Sequence, residues 1–206
     1  MPTSSTSHRP SLRKAPRQAR SVETVRIIVE AAARILEEAG LGGFTTNAVA
    51  QRAGVSIGSL YQYFPRKEAL IGALIIRETS LLIGDWEAAA AGSDAWAALL
   101  DMIASAVDHQ LRRPVLARLL DVEEARLPFD GDRQRVVGRL RDMLADVLGR
   151  TDLDLDYDRN IATQDTLAII KGIVDAAGEA SEVDRPLLVT RVRRAVFGYL
   201  NGAERP

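Results

Sequence analysis

Two short helical segments lie so close together in this sequence that their relative orientation is largely fixed. The first runs from Thr46 to Ala53 and the second from Ser56 to about Tyr63, and each begins at a hydroxyl residue that can cap a helix. Only Gly54 and Val55 separate them. Helices joined by so short a turn cross steeply, and glycine supplies the left-handed backbone conformation that such a turn favours. The segment therefore predicts a helix-turn-helix.

Apolar residues elsewhere in the chain recur every three or four positions, which is the period of an α-helix. One such segment begins at Val22 and ends at Gly40, and another begins near Pro65 and runs toward Trp86. Further helical segments cover about 94–112, 114–125, 132–149, 159–179 and 185–201. No segment has the alternation of a β-strand. We therefore expect an all-α fold of about nine helices, with an N-terminal three-helix head and a larger helical body.

The first 20 residues differ in composition from the rest. Residues 1–20 contain two basic clusters, three prolines and no acidic residue. Such a segment buries too little apolar surface to offset its ordering entropy, so we expect a disordered basic arm. The arm either contacts a partner of the head or serves only as a solubilising tail, and its composition also imitates a transit peptide. Residues 21–70 then form the head and residues 71–206 the body.

The distribution of charge indicates an anionic partner for the head. Residues 1–70 carry 10 basic and 5 acidic side chains, whereas residues 71–206 carry 17 basic and 23 acidic ones. The net charge of −1 hides this asymmetry. A basic head joined to an acidic body is typical of a protein that binds nucleic acid through one end.

Several classes of protein are disfavoured by the sequence. Cysteine is absent, which excludes disulfides, thiolate metal sites and cysteine nucleophiles. We find no apolar run of about 18 residues and no signal-peptide stretch, so we expect a cytoplasmic protein with no membrane partner. The acidic run 152–158 lacks the glycine and glutamate of a calcium loop, and Asp156 or Asp158 is better interpreted as a helix cap. His109 has no second histidine at helical spacing. We expect no metal, no cofactor and no enzymatic activity.

The exposed side of the second short helix carries groups that suit DNA. Gln62 can form two hydrogen bonds with an adenine edge, and Gly58 lets the backbone approach a groove closely. Tyr61 and Tyr63 offer hydroxyl groups to phosphate, and Thr46 does so at a helix N-terminus, which attracts anions. The two tyrosines are also compatible with a place in the core.

This stretch resembles the tetracycline-repressor (TetR) family of helix-turn-helix transcription regulators. The resemblance covers about 50 residues and rests on Phe44-Thr45-Thr46, Ala50 to Ser56, Gly58, Leu60-Tyr61, Tyr63-Phe64 and Lys67 to Leu70. It implies that DNA is contacted by Thr46, Ser56, Ile57, Gly58, Ser59, Tyr61, Gln62, Tyr63 and Lys67. Ile57 departs from the commoner polar or basic residue at its position and offers only an apolar contact.

The last two helices are apolar on more than one face, which a single small core cannot hide. Pairing with the same helices of a second subunit would bury the surplus in a four-helix contact, and the resemblance also implies a homodimer. The alternative is a monomer with an unusually well buried core. The residues that we expect at the dimer interface are Ile170, Val174, Val192, Val196 and Tyr199.

The resemblance places a small-molecule effector in the body, where movement of the helix that begins near Pro65 would shift the recognition helices apart. Residue type alone predicts the walls of the effector site, and the candidates are Trp86, Trp96, Met102, His109, Phe129 and Met143. Because few charged residues are among them, we expect a mostly apolar effector.

The resemblance therefore implies a ligand-responsive repressor that binds a palindromic double-stranded operator as a homodimer and is released by its effector. Residues 21–70 would be its DNA-binding domain and residues 71–206 its effector-binding and dimerisation domain. Two alternatives stay open at the level of the sequence: a helical small-molecule-binding protein without DNA binding, and a constitutive DNA-binding protein without an effector.

Overall fold

The computed structural model describes residues 15–124, 126, 131–151 and 158–201, with side chains from residue 20 onward and, after the gap at 127–130, from residue 134. The described residues form nine α-helices and no β-strand, which confirms the expected all-α fold. The helices are α1 Ala15–Gly43, α2 Thr46–Ala53, α3 Ile57–Tyr63, α4 Lys67–Ala90, α5 Ala95–Arg112, α6 Pro114–Glu124, α7 Gly131–Gly149, α8 Arg159–Glu179 and α9 Arg185–Leu200. Within these ranges, no helix is long and apolar enough to cross a membrane.

Helix α1 begins earlier than the sequence pattern predicts. It starts at Ala15, so residues 15–20 of the expected arm are helical, whereas residues 1–14 lie outside the described part of the chain. Pro16 suits the first turn of a helix, and residues 17–20 (Arg, Gln, Ala, Arg) have high helix propensity. Gly40 interrupts the helix at the expected position, with φ 60° and ψ −168°, a conformation that favours glycine.

The head consists of α1, α2, α3 and the first half of α4, packed around one hydrophobic cluster. Its buried side chains include Ile28, Leu36, Phe44, Val49, Leu60, Leu70 and Leu74. Leu116 and Leu120 of α6 belong to the same cluster. A helix of the body therefore completes the core of the head.

The body surrounds a second hydrophobic cluster. Helix α4 packs against α5 and α7, and α8 packs against α9. Helices α5, α8 and α9 each follow an aspartate whose carboxylate accepts a hydrogen bond from a backbone N–H of the first turn, namely Asp94, Asp158 and Asp184. The expected cap at Asp158 is thus confirmed, and Asp156 lies outside the described residues.

The surplus apolar faces of α8 and α9 are buried within the chain itself. Helix α8 contacts α5, α6, α7 and α9 at once, so it hides more than one face without a second subunit. Ile170, Val174, Val192 and Val196 are each at most 6% exposed and lie in the core of the body. Their assignment to a dimer interface is therefore wrong. Tyr199 is half-buried, and its hydroxyl donates a hydrogen bond to a carboxylate of α8 at 2.7 Å.

Candidate DNA-binding surface and ligand cavity

The turn between α2 and α3 has the geometry that the sequence predicts. The cap of α2 is Thr45, one residue before the predicted Thr46, and its Oγ1 accepts a hydrogen bond from the Ala48 N–H at 3.1 Å. Ser56 caps α3, with its Oγ accepting from the N–H of the half-buried Ser59 at 3.0 Å. Gly54 follows α2 with φ 68° and ψ 28°, which is the left-handed conformation. These contacts fix the angle between the two helices and confirm the helix-turn-helix.

Helix α3 presents an open face. Ile57 and Tyr61 are 38% and 47% exposed, and Gly58 and Gln62 are exposed as well. A Cβ atom at Gly58 would meet only the Ser56 Oγ, at 3.9 Å, so nothing in the described part of the chain requires glycine there. A glycine at this place leaves the backbone of α3 open to close approach by a partner, as a helix in a DNA groove requires.

Hydroxyl groups lie along the edge of this face. The Thr46 Oγ1 and the Tyr61 hydroxyl are 3.1 Å apart and link the start of α2 to α3. Tyr63 is half-buried, and its hydroxyl accepts a hydrogen bond from the Ser21 hydroxyl of α1 at 3.4 Å. Tyr61 therefore lies outside the core, whereas Tyr63 takes part in the packing of the head.

Lys67 holds the start of α4 against the end of α1. Its Nζ donates a hydrogen bond to the Leu41 carbonyl at 3.2 Å and lies 5.3 Å from the centre of the Phe44 ring. Lys67 thus has a structural role, and its contact with phosphate stays a prediction.

An ion pair between Arg52 and Glu38 holds α2 against α1, although no sequence pattern marks it.

A cavity of about 500 Å³ lies between helices α4, α5, α6, α7 and α8, a size within the usual range for small-molecule sites. Most of its wall is apolar and includes Ile75, Leu82, Trp86, Leu116, Leu120, Leu140, Leu167, Ile170 and Val174. The indole N–H of Trp86 donates a hydrogen bond to the Met102 carbonyl at 3.0 Å, which fixes the orientation of the ring. The polar wall residues are Glu78, Thr79, His109, Gln110, Arg113, Asp121, Glu124, Lys171 and Asp175.

Four charged side chains form what we call the carboxylate end of the cavity: Asp121 and Glu124 of α6, and Lys171 and Asp175 of α8. The Lys171 Nζ lies 3.1 Å from Glu124 and 2.9 Å from Asp175. Partial burial opposes the charge of Lys171, whose side chain is 54% exposed, but the neighbouring carboxylates raise its pKa above the usual value. Burial, followed by the charge of Asp175, raises the pKa of Asp121 to about 6.

His109 also lines the cavity. Burial lowers the pKa of His109 below its usual value, so the ring is neutral at physiological pH. Its Nδ1 is buried and has no hydrogen-bond partner among the described residues.

Ion pairs connect the wall of the cavity to helix α1 of the head. Arg113, at the start of α6, contacts Glu30 and Glu37 of α1. Arg77 of α4 contacts Glu30 and Glu78. Because Arg113 and Glu78 line the cavity, this network joins the cavity to the head.

Two family models match this chain. Residues 28–74 match the model described as bacterial regulatory proteins, tetR family, and residues 95–200 match the tetracyclin repressor-like C-terminal domain. The chain belongs to the TetR family. Transcription regulation through a helix-turn-helix is the activity of this family, as the resemblance of the head implied.

Curated relatives of this TetR-family chain match over less than half of its length. The A-factor receptor protein of Streptomyces griseus is 39% identical over 64 residues, which are 31% of this chain and 23% of that protein. The HTH-type transcriptional regulator BetI of Burkholderia thailandensis is 37% identical over 95 residues, or 43% of this chain and 47% of that protein. The chain thus spans less than half the length of each of these relatives.

Solved structures show the same fold over most of the chain. The transcriptional regulator FadR of Bacillus subtilis, in complex with stearoyl-CoA, aligns with a TM-score of 0.73 at 18% identity, over 87% of this chain and 99% of that one. A TetR-family regulator of Streptomyces coelicolor aligns with a TM-score of 0.69 at 24% identity, over 90% and 99%. At these identities the likeness extends to the fold alone.

Of the residues expected to line the effector site, the structure brings Trp86 and His109 to the cavity. Residue type gave no signal for Asp121, Lys171 and Asp175. A spacing of four residues on α8 places Lys171 and Asp175 on one face, and this is the signal that could have drawn attention to them.

The other expected wall residues lie elsewhere. Met102 is fully buried in the core of the body, one helical turn before Ala106, which does line the cavity. Trp96 packs against Phe197, with 5.2 Å between ring centres, and Met143 packs on the same core. Phe129 lies outside the described residues. Aromatic and sulfur-containing residues fill cores as readily as they line cavities.

Proposed function

We propose that this TetR-family protein is a ligand-responsive repressor that binds double-stranded operator DNA and is released by a small effector. The observation that carries the proposal is the open face of α3, where Gly58 and Gln62 are exposed on a helix that is fixed by its caps. A helix presented in this way enters the major groove of DNA. The proposal includes a cytoplasmic location and no enzymatic activity.

The cavity supports the ligand-responsive part of the proposal. Its walls come from five helices of the body, and Arg113 in its wall contacts α1 of the head. An effector changes operator affinity only through its different affinity for the two states of the protein, and such couplings are typically about 5- to 150-fold. By linkage, the operator must weaken effector binding by the same factor.

We propose that the protein acts as a homodimer through the outward side of α8 and α9. Ile161, Ala168, Gly172 and Ala176 of α8 are exposed at spacings of seven, four and four residues, which places them on one stripe. Ile161 is 50% exposed, as is Leu187 of α9. Symmetric pairing of these helices would form a four-helix contact. Two heads related by a two-fold axis would bind a palindromic operator with half-sites about 34 Å or a multiple apart.

The test uses two glycine variants in gel-shift measurements with duplexes selected from a random pool. Gly58→Glu places a carboxylate on the open face of α3, where a side chain meets no close contact. Gly84→Glu makes the same change on an exposed position of α4, where a Cβ atom likewise meets nothing within 4 Å. We expect Gly58→Glu to abolish selective DNA binding and Gly84→Glu to retain it. Selective binding by both variants, or by neither the variants nor the wild-type chain, would overturn the proposal.

A further inference from the structure

The cavity has two chemically different ends. Leucine, isoleucine and valine side chains of α4, α6, α7 and α8 form its apolar part, and the carboxylate end lies between α6 and α8. On the side of the head, Arg113 and Glu78 are engaged by Glu37 and Arg77 respectively. A ligand that fills the cavity therefore meets apolar walls and then the side chains of the carboxylate end.

Asp121 is the carboxylate that a ligand can engage. In the described part of the chain its hydrogen bond comes from a neutral group, the Gln110 Nε2 at 3.3 Å. The nearby cation, Lys171, forms ion pairs with Asp175 and Glu124. Asp121 therefore lies in a partly desolvated place next to a second carboxylate, Asp175, and an incoming positive charge would stabilise both.

The position of Asp121 is fixed by a specific packing feature. Gln110 is only 3% exposed, and its amide fills the space beside Gly178 of α8. A Cβ atom at Gly178 would lie 2.0 Å from the Gln110 Nε2, so any larger residue there would displace the amide. The Gln110 amide in turn holds the Asp121 carboxylate at the cavity wall. The Gln110 amide thus builds Asp121 into the cavity wall, whereas the Lys171 side chain beside it is 54% exposed.

We propose that the effector is an amphiphilic cation, whose apolar body lies against the leucine-rich walls and whose protonated amine or similar group contacts Asp121 and Asp175. This inference rests on the proposed function and refines it, because an apolar ligand alone would further desolvate Asp121, whose hydrogen bond comes from a neutral amide. An anionic ligand of the same shape would be repelled by the same carboxylates.

The test compares three unbranched ten-carbon probes below their micellar concentrations: n-decylamine, n-decanol and decanoate. Each is titrated into the full chain by isothermal calorimetry at about pH 7.5, where the amine is protonated. Since a hydrogen bond to a charged partner is stronger than a neutral one, we expect decylamine to bind at least about tenfold more tightly than decanol. Decanoate is expected to bind most weakly.

Two aspartate variants test the site, and a third serves as the control. We expect Asp121→Asn and Asp175→Asn each to weaken decylamine binding by about tenfold while leaving decanol binding unchanged, which also shows that the cavity is intact. Asp101→Asn makes the same change of charge on an exposed position of α5 outside the cavity wall, and it should bind like the wild-type chain.

Equal binding of decylamine and decanol, tightest binding of decanoate, no binding of any probe, or an unchanged decylamine affinity in Asp121→Asn would each overturn the inference. These titrations contain no DNA, so such a result leaves the DNA-binding part of the proposed function standing. Conversely, a chain that prefers decylamine but never binds DNA selectively would overturn the proposed function and leave the ligand class standing.

Discussion

Arg113, between α5 and α6, donates two hydrogen bonds to the carboxylate of Glu37 on α1, at 2.7 and 2.6 Å. Both side chains are about three-quarters buried, at 24% and 26% exposed. Hydrogen bonding by Arg113 lowers the pKa of Glu37 below its usual value. Because Arg113 also lines the cavity, one side chain belongs both to the cavity wall and to the contact with helix α1 of the head.

We expect the Arg113–Glu37 pair to stabilise the fold more than an exposed ion pair does. A double-mutant cycle with Arg113→Gln and Glu37→Gln, measured by urea unfolding, should give a coupling energy of about 1–2 kcal/mol, because the pair is bidentate and partly buried. The neighbouring exposed pair Arg112–Asp85 has its closest atoms 3.1 Å apart and serves as the control. Its coupling energy should be below about 1 kcal/mol. Equal coupling energies in the two cycles would contradict the expectation.

Gln62→Ala is expected to change which operators are preferred. A bidentate contact with a base contributes roughly 1–3 kcal/mol of discrimination, whereas contacts with phosphate carry no sequence information. Selection from a random duplex pool should therefore show relaxed preference at one symmetric pair of positions. Gln134→Ala, on an exposed position of α7, should select the wild-type sequences. If Gln62→Ala weakens binding to every sequence equally, Gln62 positions the helix and does not read bases.

Substitutions at Gly172 and Ile170 of α8 should distinguish a loss of dimerisation from a loss of folding stability. Gly172 is exposed and a Cβ atom there meets nothing within 4 Å, so Gly172→Glu should yield a folded monomer in analytical ultracentrifugation, since like charges would face each other across the two-fold axis. Ile170→Asp buries a charge in the core of the chain and should cost several kcal/mol of folding stability. A dimer that persists in Gly172→Glu would place the contact elsewhere.

The raised pKa of Asp121 gives a stability effect with a definite sign. The groups that face Asp121 are Glu124 on its own helix, Lys171 and Asp175 of α8 and the Gln110 amide of α5. Its pKa is about 6 in the folded chain and about 3.9 in an unfolded one. Between these values the folded state holds a proton that the unfolded state has lost, so stability decreases as the pH rises through this window.

Asp121→Asn removes this titration and should stabilise the chain above the window. At about pH 7.5 we expect the variant to be more stable than the wild-type chain by roughly 1–2 kcal/mol, a value reduced for the partial exposure of the group. The difference should vanish near pH 4, as measured by urea unfolding over a series of pH values. Asp101→Asn should show no such trend. If the stability difference between Asp121→Asn and the wild-type chain does not change with pH, titration of Asp121 is not its cause.

Local signals predicted the head well. Gly54, Ser56 and the hydroxyl before α2 act through the backbone next to them, so their effect can be inferred from a few consecutive residues. The ends of the body helices could be predicted from proline, glycine and capping aspartates for the same reason. The start of α1 was missed because residues 15–20 are basic and polar, and their charge hid their helix propensity.

The arrangement of the body depends on contacts between distant segments, which periodicity does not specify. The pattern of α8 shows two apolar stripes but does not say how many helices surround it, and so Ile170 and Val174 were assigned to the wrong contact. The carboxylate end joins residues about fifty positions apart, Asp121 and Lys171. Only the packing of α6 against α8 brings them together.

The side chains that α6 contributes to the core of the head have a consequence for engineering. A fragment that stops after residue 70 would lose Leu74 as well as Leu116 and Leu120, and would expose the apolar surfaces that they cover. Grafting this head onto the body of another regulator would require compatible leucines on the recipient's sixth helix. A chimera joined within α4 should therefore aggregate if the recipient's sixth helix lacks such leucines, unless α6 is transplanted together with the head.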